Sequence, residues 1–222
     1  MERWATFDCY GTLIDWNGGI GRELERLFGA DNSAQLLHAY HEVEPQVQRE
    51  DPVRAYRDVL TQTLVRLAER EQMLLPGDEQ DALARSLPEW QPFPEVKASL
   101  EEARGSGWKL AILSNTDDDL IAASQVQLGM VFDEVVVAQE IGSYKPNHKH
   151  WQEFFNRTRA PHDGHVHVGA SLYHDIAPCN ELGLVSVWVN RLGETATDGA
   201  RPTRELPDLL ALPETLDELV VA

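Results

Sequence analysis

The sequence predicts an α/β fold, a parallel sheet covered by helices on both faces, with a block of helices inserted after its first strand. Two observations carry this. From about residue 92 onward, strand-sized apolar runs alternate with helix-length segments, the pattern of parallel strands joined by crossovers. Between 16 and 91, apolar residues recur only at helical spacing, and nothing alternates with period two. A chain of 222 residues suits such a domain with one insertion and is too short for two full catalytic domains.

Ala5 to Phe7 is a short apolar run that stops at Asp8, and Tyr10-Gly11-Thr12 after it reads as a polar loop at the end of a buried strand. Ile20, Leu24, Leu27 and Phe28 then recur at helical spacing, as do Val53, Tyr56, Leu60, Leu64 and Leu67. Asp51 and Pro52 read as the cap and first turn of the second of these helices. Breaks are expected near Gly29-Ala30-Asp31-Asn32 and Leu75-Pro76-Gly77. Past Gln91-Pro92-Phe93-Pro94, a helix from Val96 to about Ser106 leads into the strand Leu110–Leu113. Thr116 and the aspartates at 117–119 favour a helix start, because carboxylates suit the positive N-terminal end. Val135–Ala138, Val166–Val168 and Val185–Val189 are further strands. The predicted organisation is a Rossmann-like core of residues 1–15 and 92–222, with a helical cap of residues 16–91.

Composition narrows the function. The 37 acidic and 19 basic residues give a net charge of -18, which argues against nucleic-acid binding. An anionic substrate approaches against that field, so a local positive group must receive it. Two cysteines, Cys9 and Cys179, are too few for a disulfide framework and suit a reducing compartment. Met1-Glu2-Arg3-Trp4 lacks the apolar stretch of a signal peptide, and the longest apolar runs fall far short of a membrane span. A cytoplasmic protein with no membrane partner is expected.

Open α/β sheets carry their sites at the carboxyl ends of the strands. The residues just past the apolar runs are Asp8, Ser114-Asn115, Lys145 in the loop after the third run, and Ala170 to Asp175. A carboxylate, a hydroxyl with an amide, an ammonium and a second carboxylate would converge on one crevice.

These segments match a known family. Phe7-Asp8-Cys9-Tyr10-Gly11-Thr12-Leu13, Leu113-Ser114-Asn115-Thr116, Tyr144-Lys145-Pro146-Asn147 and Val168-Gly169-Ala170-Ser171 with Asp175 resemble, in order, the four motifs of the haloacid dehalogenase superfamily. The insertion falls at that family's cap position. Most members are magnesium-dependent phosphatases, which carry a second aspartate where this chain has Tyr10 and another where it has Ala170. Both departures point to the metal-free branch and resemble the L-2-haloacid dehalogenases of type II, whose first motif reads Asp-x-Tyr-Gly-Thr.

The resemblance implies a cofactor-free hydrolase of a small 2-substituted carboxylic acid, acting as a homodimer and needing no metal. Asp8 would be the nucleophile that forms an ester, with Lys145 keeping it ionised and Asp175 orienting Lys145 or activating water. Ser114 and backbone N–H groups near Cys9 and Tyr10 would bind the substrate carboxylate, with Asn115 beside them. Thr12, Trp151 and Ser171 fall on supporting positions. The family's halide-binding arginine is replaced by His41, its tyrosine by Trp151, and an asparagine and tryptophan of the last motif by Leu172 and His174. With that arginine gone and Glu42 and Glu44 near, an alternative keeps the ester chemistry and opens the C–N bond of azetidine-2-carboxylate. A phosphatase, disfavoured by Tyr10 and Ala170, and a non-catalytic binding relative are the remaining readings.

Other signals are read structurally. Gly18-Gly19-Ile20-Gly21 lacks the Lys-Ser/Thr of a phosphate loop and reads as the hinge into the cap. His165 and His167, with His162, read as a solvent-facing strand edge and not as a metal site. Cys9 should point away from Asp8 into packing. Glu42, Glu44, Glu50 and Asp51 read as a solvated helix face.

Overall fold

A computed structural model of the chain describes residues 2–51, 53–196 and 199–220. Its centre is a fully parallel sheet of six strands in the order β3-β2-β1-β4-β5-β6. These are β1 (Arg3–Phe7), β2 (Trp108–Ser114), β3 (Glu134–Val137), β4 (His165–Gly169), β5 (Val185–Val189) and β6 (Arg204–Leu206). Five match the expected runs to within a few residues. The sequence reading misses β6, whose Arg204-Glu205-Leu206 carries no apolar pattern because it is an outer strand paired on one side only. Ala138, expected in the third strand, opens the short helix α7 (Ala138–Ile141) instead.

Successive side chains along the central strands face opposite layers. Ala5, Phe7, Ile112, Val166 and Val168 pack with Leu100 of α5 (Val96–Gly105) and Leu212 and Leu216 of α10 (Leu212–Leu219). Trp4, Ala111 and Leu113 pack on the other face with Trp151 and Phe154 of α8 (Lys149–Thr158) and Cys179 of α9 (Ala177–Leu182). Between β1 and β4 the chain direction of the crossovers reverses, which opens a crevice at the carboxyl ends of those strands.

The segment after β1 is helical: α1 (Trp16–Phe28), α2 (Ala30–Glu50), α3 (Tyr56–Arg70) and α4 (Ala82–Ser86). The break at Gly29 is a single residue with φ +87°, the cap of one helix and the start of the next. The second break is where expected, but the start of the later helix is not. Pro52 lies outside the described residues. Asp51 ends α2, Val53 is exposed, and α3 begins only at Tyr56. The glycines at 18 and 19 sit at the entry to the helical segment. They lie in the first turn of α1, where Asp15 caps by accepting from Gly18 N at 2.9 Å. A Cβ at Gly19 would collide with the Trp90 ring, so close approach requires glycine there. Among the described residues no helix is long and apolar enough to cross a membrane.

Candidate active site

Register explains how the predicted acids meet. Phe7 pairs with Ile112 on one side and Val168 on the other, so the residues just past these strands share one sheet edge. Asp8 stands at the centre of that edge. Lys145 Nζ donates to Asp8 Oδ1 at 2.9 Å and to Asp175 Oδ1 at 2.6 Å, with the lysine side chain 1% and Asp175 0% exposed. Thr12 donates to the other Asp8 oxygen at 2.9 Å and accepts from Ala170 N at 2.9 Å, tying the first motif to the last.

The Lys145 backbone is itself clamped. Its N–H donates to Asn115 Oδ1 at 2.6 Å, and Asn115 Nδ2 donates back to its carbonyl at 3.0 Å. Asn115 therefore positions the lysine loop. Asp175 enters through a wide turn, Leu172–Ile176, in which Ile176 N donates to Ser171 O, five residues back. Its second oxygen accepts from Ser171 N at 3.2 Å. Ser171 Oγ accepts from His174 N at 3.0 Å, which holds the turn.

Charge follows from this geometry. Burial raises the Asp175 carboxyl, but Lys145 and His167 outweigh it and hold the group well below the usual carboxylate range. Asp8 moves the other way. Desolvation pushes it above its ordinary value, Lys145 pulls it down, and the neighbouring Asp175 charge pushes it up again. Lys145 thus acts on Asp8 in the expected direction, favouring its ionised form, while burial and the shared Asp175 charge work against it. Desolvation lowers Lys145, yet the two acids keep it charged, above its ordinary value.

Asp8 faces a cavity of about 540 Å³, a size suited to a small ligand. Tyr10, Ser114, Asn115, Lys145, Ala170, Ser171 and Asp175 line it, as do His41, Glu44 and Gln48 from α2. Ser114 Oγ is buried without a hydrogen-bond partner, a donor left for a ligand. Tyr10 presents its ring, with its hydroxyl 3.0 Å from Ser124 Oγ and its face stacked on Tyr56. Cys9 lies in the core and does not line the cavity through its side chain. Trp151 is also buried outside the cavity, on the far face of the sheet, where it packs against His167.

His41 reaches the cavity in a setting that disfavours its protonation. It stacks on Trp16 at 5.3 Å, its Nε2 is 2.9 Å from Asn17 Oδ1, and burial, helped by His38, lowers its pKa. A protonated halide receiver is not what this environment favours. Glu44, expected on a solvated face, is 6% exposed, lines the cavity, and is pushed by burial up to about 7. Glu42 and Glu50 do face solvent, paired with Arg70 at 2.5 Å and Arg66 at 2.6 Å. The sequence reading missed Asp15, Trp16, Asn17, Asn190, Arg191 and Glu194 as cavity residues. Pro45, inside α2 and on the cavity wall, removes a helix hydrogen bond there.

The histidines of β4 also differ from expectation. His165 and His167 are fully buried, because β4 is flanked by β1 and β5 and its face is covered by α8. A magnesium ion does not fit the acids either. Both Asp8 oxygens and Asp175 Oδ1 accept from Lys145 or Thr12, and Ala170 offers no ligand where Mg²⁺ would want another carboxylate. Among the described residues, no cluster of three or more His, Cys, Asp or Glu is placed to hold a metal.

Comparison with known proteins bears on the family and the fold. The pattern of the haloacid dehalogenase-like hydrolases matches residues 3–183. The chain is 25% identical over 196 residues to (S)-2-haloacid dehalogenase 4A of Burkholderia cepacia, covering 86% of this chain and 84% of that one. In structure it superposes on an L-2-haloacid dehalogenase with TM-score 0.88, at 21% identity over 97% of this chain and 99% of that one. It also superposes on the L-2-haloacid dehalogenase of Xanthobacter autotrophicus solved with chloropropionic acid covalently bound. There the TM-score is 0.85, at 16% identity over 97% and 98% of the two chains.

Proposed function

Because the chain belongs to the haloacid dehalogenase-like hydrolases, we propose that it hydrolyses a small 2-haloalkanoic acid through an ester to Asp8. The observation that carries this reading is the Asp8–Lys145–Asp175 triad facing a cavity, with Tyr10 and Ala170 where phosphatases keep acids. An Asp8 oxygen attacks C2 of the substrate, and the halide leaves with the C–X electron pair. Water then adds to the Asp8 carboxyl carbon and the ester C–O bond at that carbon breaks. This releases a 2-hydroxy acid and one proton to solvent and restores Asp8. Ser114 receives the substrate carboxylate, Thr12 and Lys145 aim Asp8, and Asp175 holds Lys145 and orients water. Residues 16–91 act as the cap. A cytoplasmic homodimer completes the reading, supported by two buried free thiols and by the family resemblance.

A second reading changes the leaving group. Protonation of His41 is disfavoured, Arg191 is engaged by Glu95 at 2.7 Å, and Glu44 titrates near 7 on the cavity wall. That wall suits a departing amine better than a halide, as in ring opening of azetidine-2-carboxylate.

The test is a panel of 2-fluoro-, 2-chloro- and 2-bromopropionate and azetidine-2-carboxylate, incubated with EDTA, with halide and ring-opened product measured. Release that survives EDTA and disappears in Asp8→Asn supports the ester mechanism. The substrate consumed decides between halide and amine. Magnesium-stimulated hydrolysis of p-nitrophenyl phosphate, with no turnover of the panel, would overturn both readings.

A further inference from the structure

Behind Asp175 lies a buried polar chain that the reaction above does not use. Asp175 Oδ1, besides accepting from Lys145, is 3.2 Å from His167 Nε2. His167 Nδ1 is 2.8 Å from Thr6 Oγ1, and the same oxygen is 2.9 Å from His165 Nε2. All four side chains are fully buried. His165 Nδ1 ends the chain, buried and without a partner.

Donor and acceptor bookkeeping leaves one arrangement. Asp175, ionised against Lys145, only accepts, so His167 Nε2 must carry hydrogen. The neutral ring then accepts at Nδ1, which Thr6 O–H supplies. The Thr6 oxygen in turn accepts from His165 Nε2–H, and the bare His165 Nδ1 is the acceptor that needs no donor. Every bond points toward Asp175, so the chain acts as one oriented dipole on that carboxylate. The groups around His167 agree with a neutral ring: desolvation, the largest influence, and Lys145 oppose its protonation, against Asp175 and Asp8, which favour it, and the net shift is downward. His150, the remaining titratable neighbour, is itself held down to about 3. The Trp151 ring meets His167 edge to face at 5.1 Å and fixes its plane.

We propose that His167 is a positioning residue for ester hydrolysis: its Nε2–H, oriented through Thr6 and His165, anchors Asp175 at Oδ1, the same oxygen that accepts from Lys145. This rests on the ester reading of Asp8. Its importance differs between the two half-reactions. While Asp8 is free, Lys145 is held between two anions. Once Asp8 is esterified, that anion is gone and Lys145 has Asp175 alone. Without His167 the carboxylate can follow the ammonium and lose its aim at the water.

The test compares His167→Phe, which removes the donor, with His167→Gln, which keeps an N–H and a C=O. Ester on Asp8 is followed by rapid quenching and intact mass, using whichever panel substrate the wild type consumes. In His167→Phe the ester forms within about threefold of wild type, and its hydrolysis slows by about tenfold to a hundredfold, the loss expected of a charge-assisted hydrogen bond. Ester therefore accumulates, and His167→Gln recovers most of the hydrolysis rate. Equal slowing of both steps, or a Gln variant as slow as the Phe variant, overturns the proposal. Two readouts need no turnover. Nitrogen NMR of the wild type should report the neutral Nε2–H form of His167 at neutral pH. The ¹³C-labelled Asp175 carboxyl should titrate higher in His167→Phe than in wild type. An Nδ1–H tautomer, or an unmoved Asp175, overturns the positioning role. Failure of the wild type to form any ester sinks the reading of Asp8 and leaves these two results to decide on the anchor.

Discussion

At the scale of single residues, the site is built by atoms that have no room to be elsewhere. Gly169 ends β4, and a Cβ there would lie 2.5 Å from Asp175 Cγ. Gly169→Ala must therefore displace Asp175 from Lys145. Turnover should fall by about a hundredfold or more while the thermal midpoint drops only a few degrees, checked by steady-state rates and calorimetry. Lys145→Met keeps volume and removes the charge that separates Asp8 from Asp175. Breaking such a buried pair costs about 3–5 kcal/mol, so the variant should have a lower urea midpoint and no measurable ester formation. Asp8 and Ser114 were legible from their places at strand ends, and Thr12, Lys145 and Asp175 from the family motifs in the loops that follow strands. The charge state of His41 was not legible. It depends on Trp16 and Asn17, which a sequence does not place beside it. Glu44 was misread for a related reason: on α2 it sits one face away from the solvated Glu42, and only the packing against the core tells the two apart.

At the scale of elements, the structure adds contacts that span long stretches of sequence. The N-terminus of α3 has no local cap; instead Asp117, before α6 (Asp118–Leu128), accepts from Tyr56 N at 2.7 Å and Arg57 N at 3.0 Å. Arg57 then pairs with Asp119 at 2.5 Å. Asp117 is 1% exposed and Asp119 is 66% exposed, which sets their worth. Asp117→Ala strands the buried Tyr56 N–H and the partly buried Arg57 N–H and should cost about 1–3 kcal/mol. Asp119→Ala removes a surface pair and should cost about 1 kcal/mol or less. Urea melts of the two variants check the order, and equal losses would contradict the cap. This contact explains why the helix expected from Asp51 starts at Tyr56: the decisive partner is 61 positions away. The helix start expected at the aspartates of 117–119 was found, yet one of them caps a different helix. Long apolar strands and periodic helices were legible throughout. The polar edge strand β6 was not, since its pairing comes from the backbone alone.

At the scale of the whole molecule, buried imidazoles set the response to acid. Burial holds His150 at about 3 and His174 at about 4, and lowers His165 and His167. The unfolded chain protonates such rings near pH 6.5, roughly the free value. Below that pH the folded form binds fewer protons, so stability is full above it and falls as pH drops toward about 3. Asp8 and Glu44 are raised and work in the opposite sense, because the unfolded chain releases those protons first. Asp175, lowered, adds further loss at the acid end of the range. Four imidazoles against two carboxyls leave a net loss, so the urea midpoint should be clearly lower at about pH 5 than at about pH 7.5. An unchanged or higher midpoint at the lower pH would contradict the buried neutral histidines. The central claim, that Asp8 carries the substrate as an ester, is tested most directly by isotope. In a single turnover with excess enzyme in ¹⁸O-water, the label should appear in the Asp8 carboxylate, and the first hydroxy acid released should be unlabelled. Label in that first product, with Asp8 unlabelled, would mean that water attacks the substrate itself and would contradict the account.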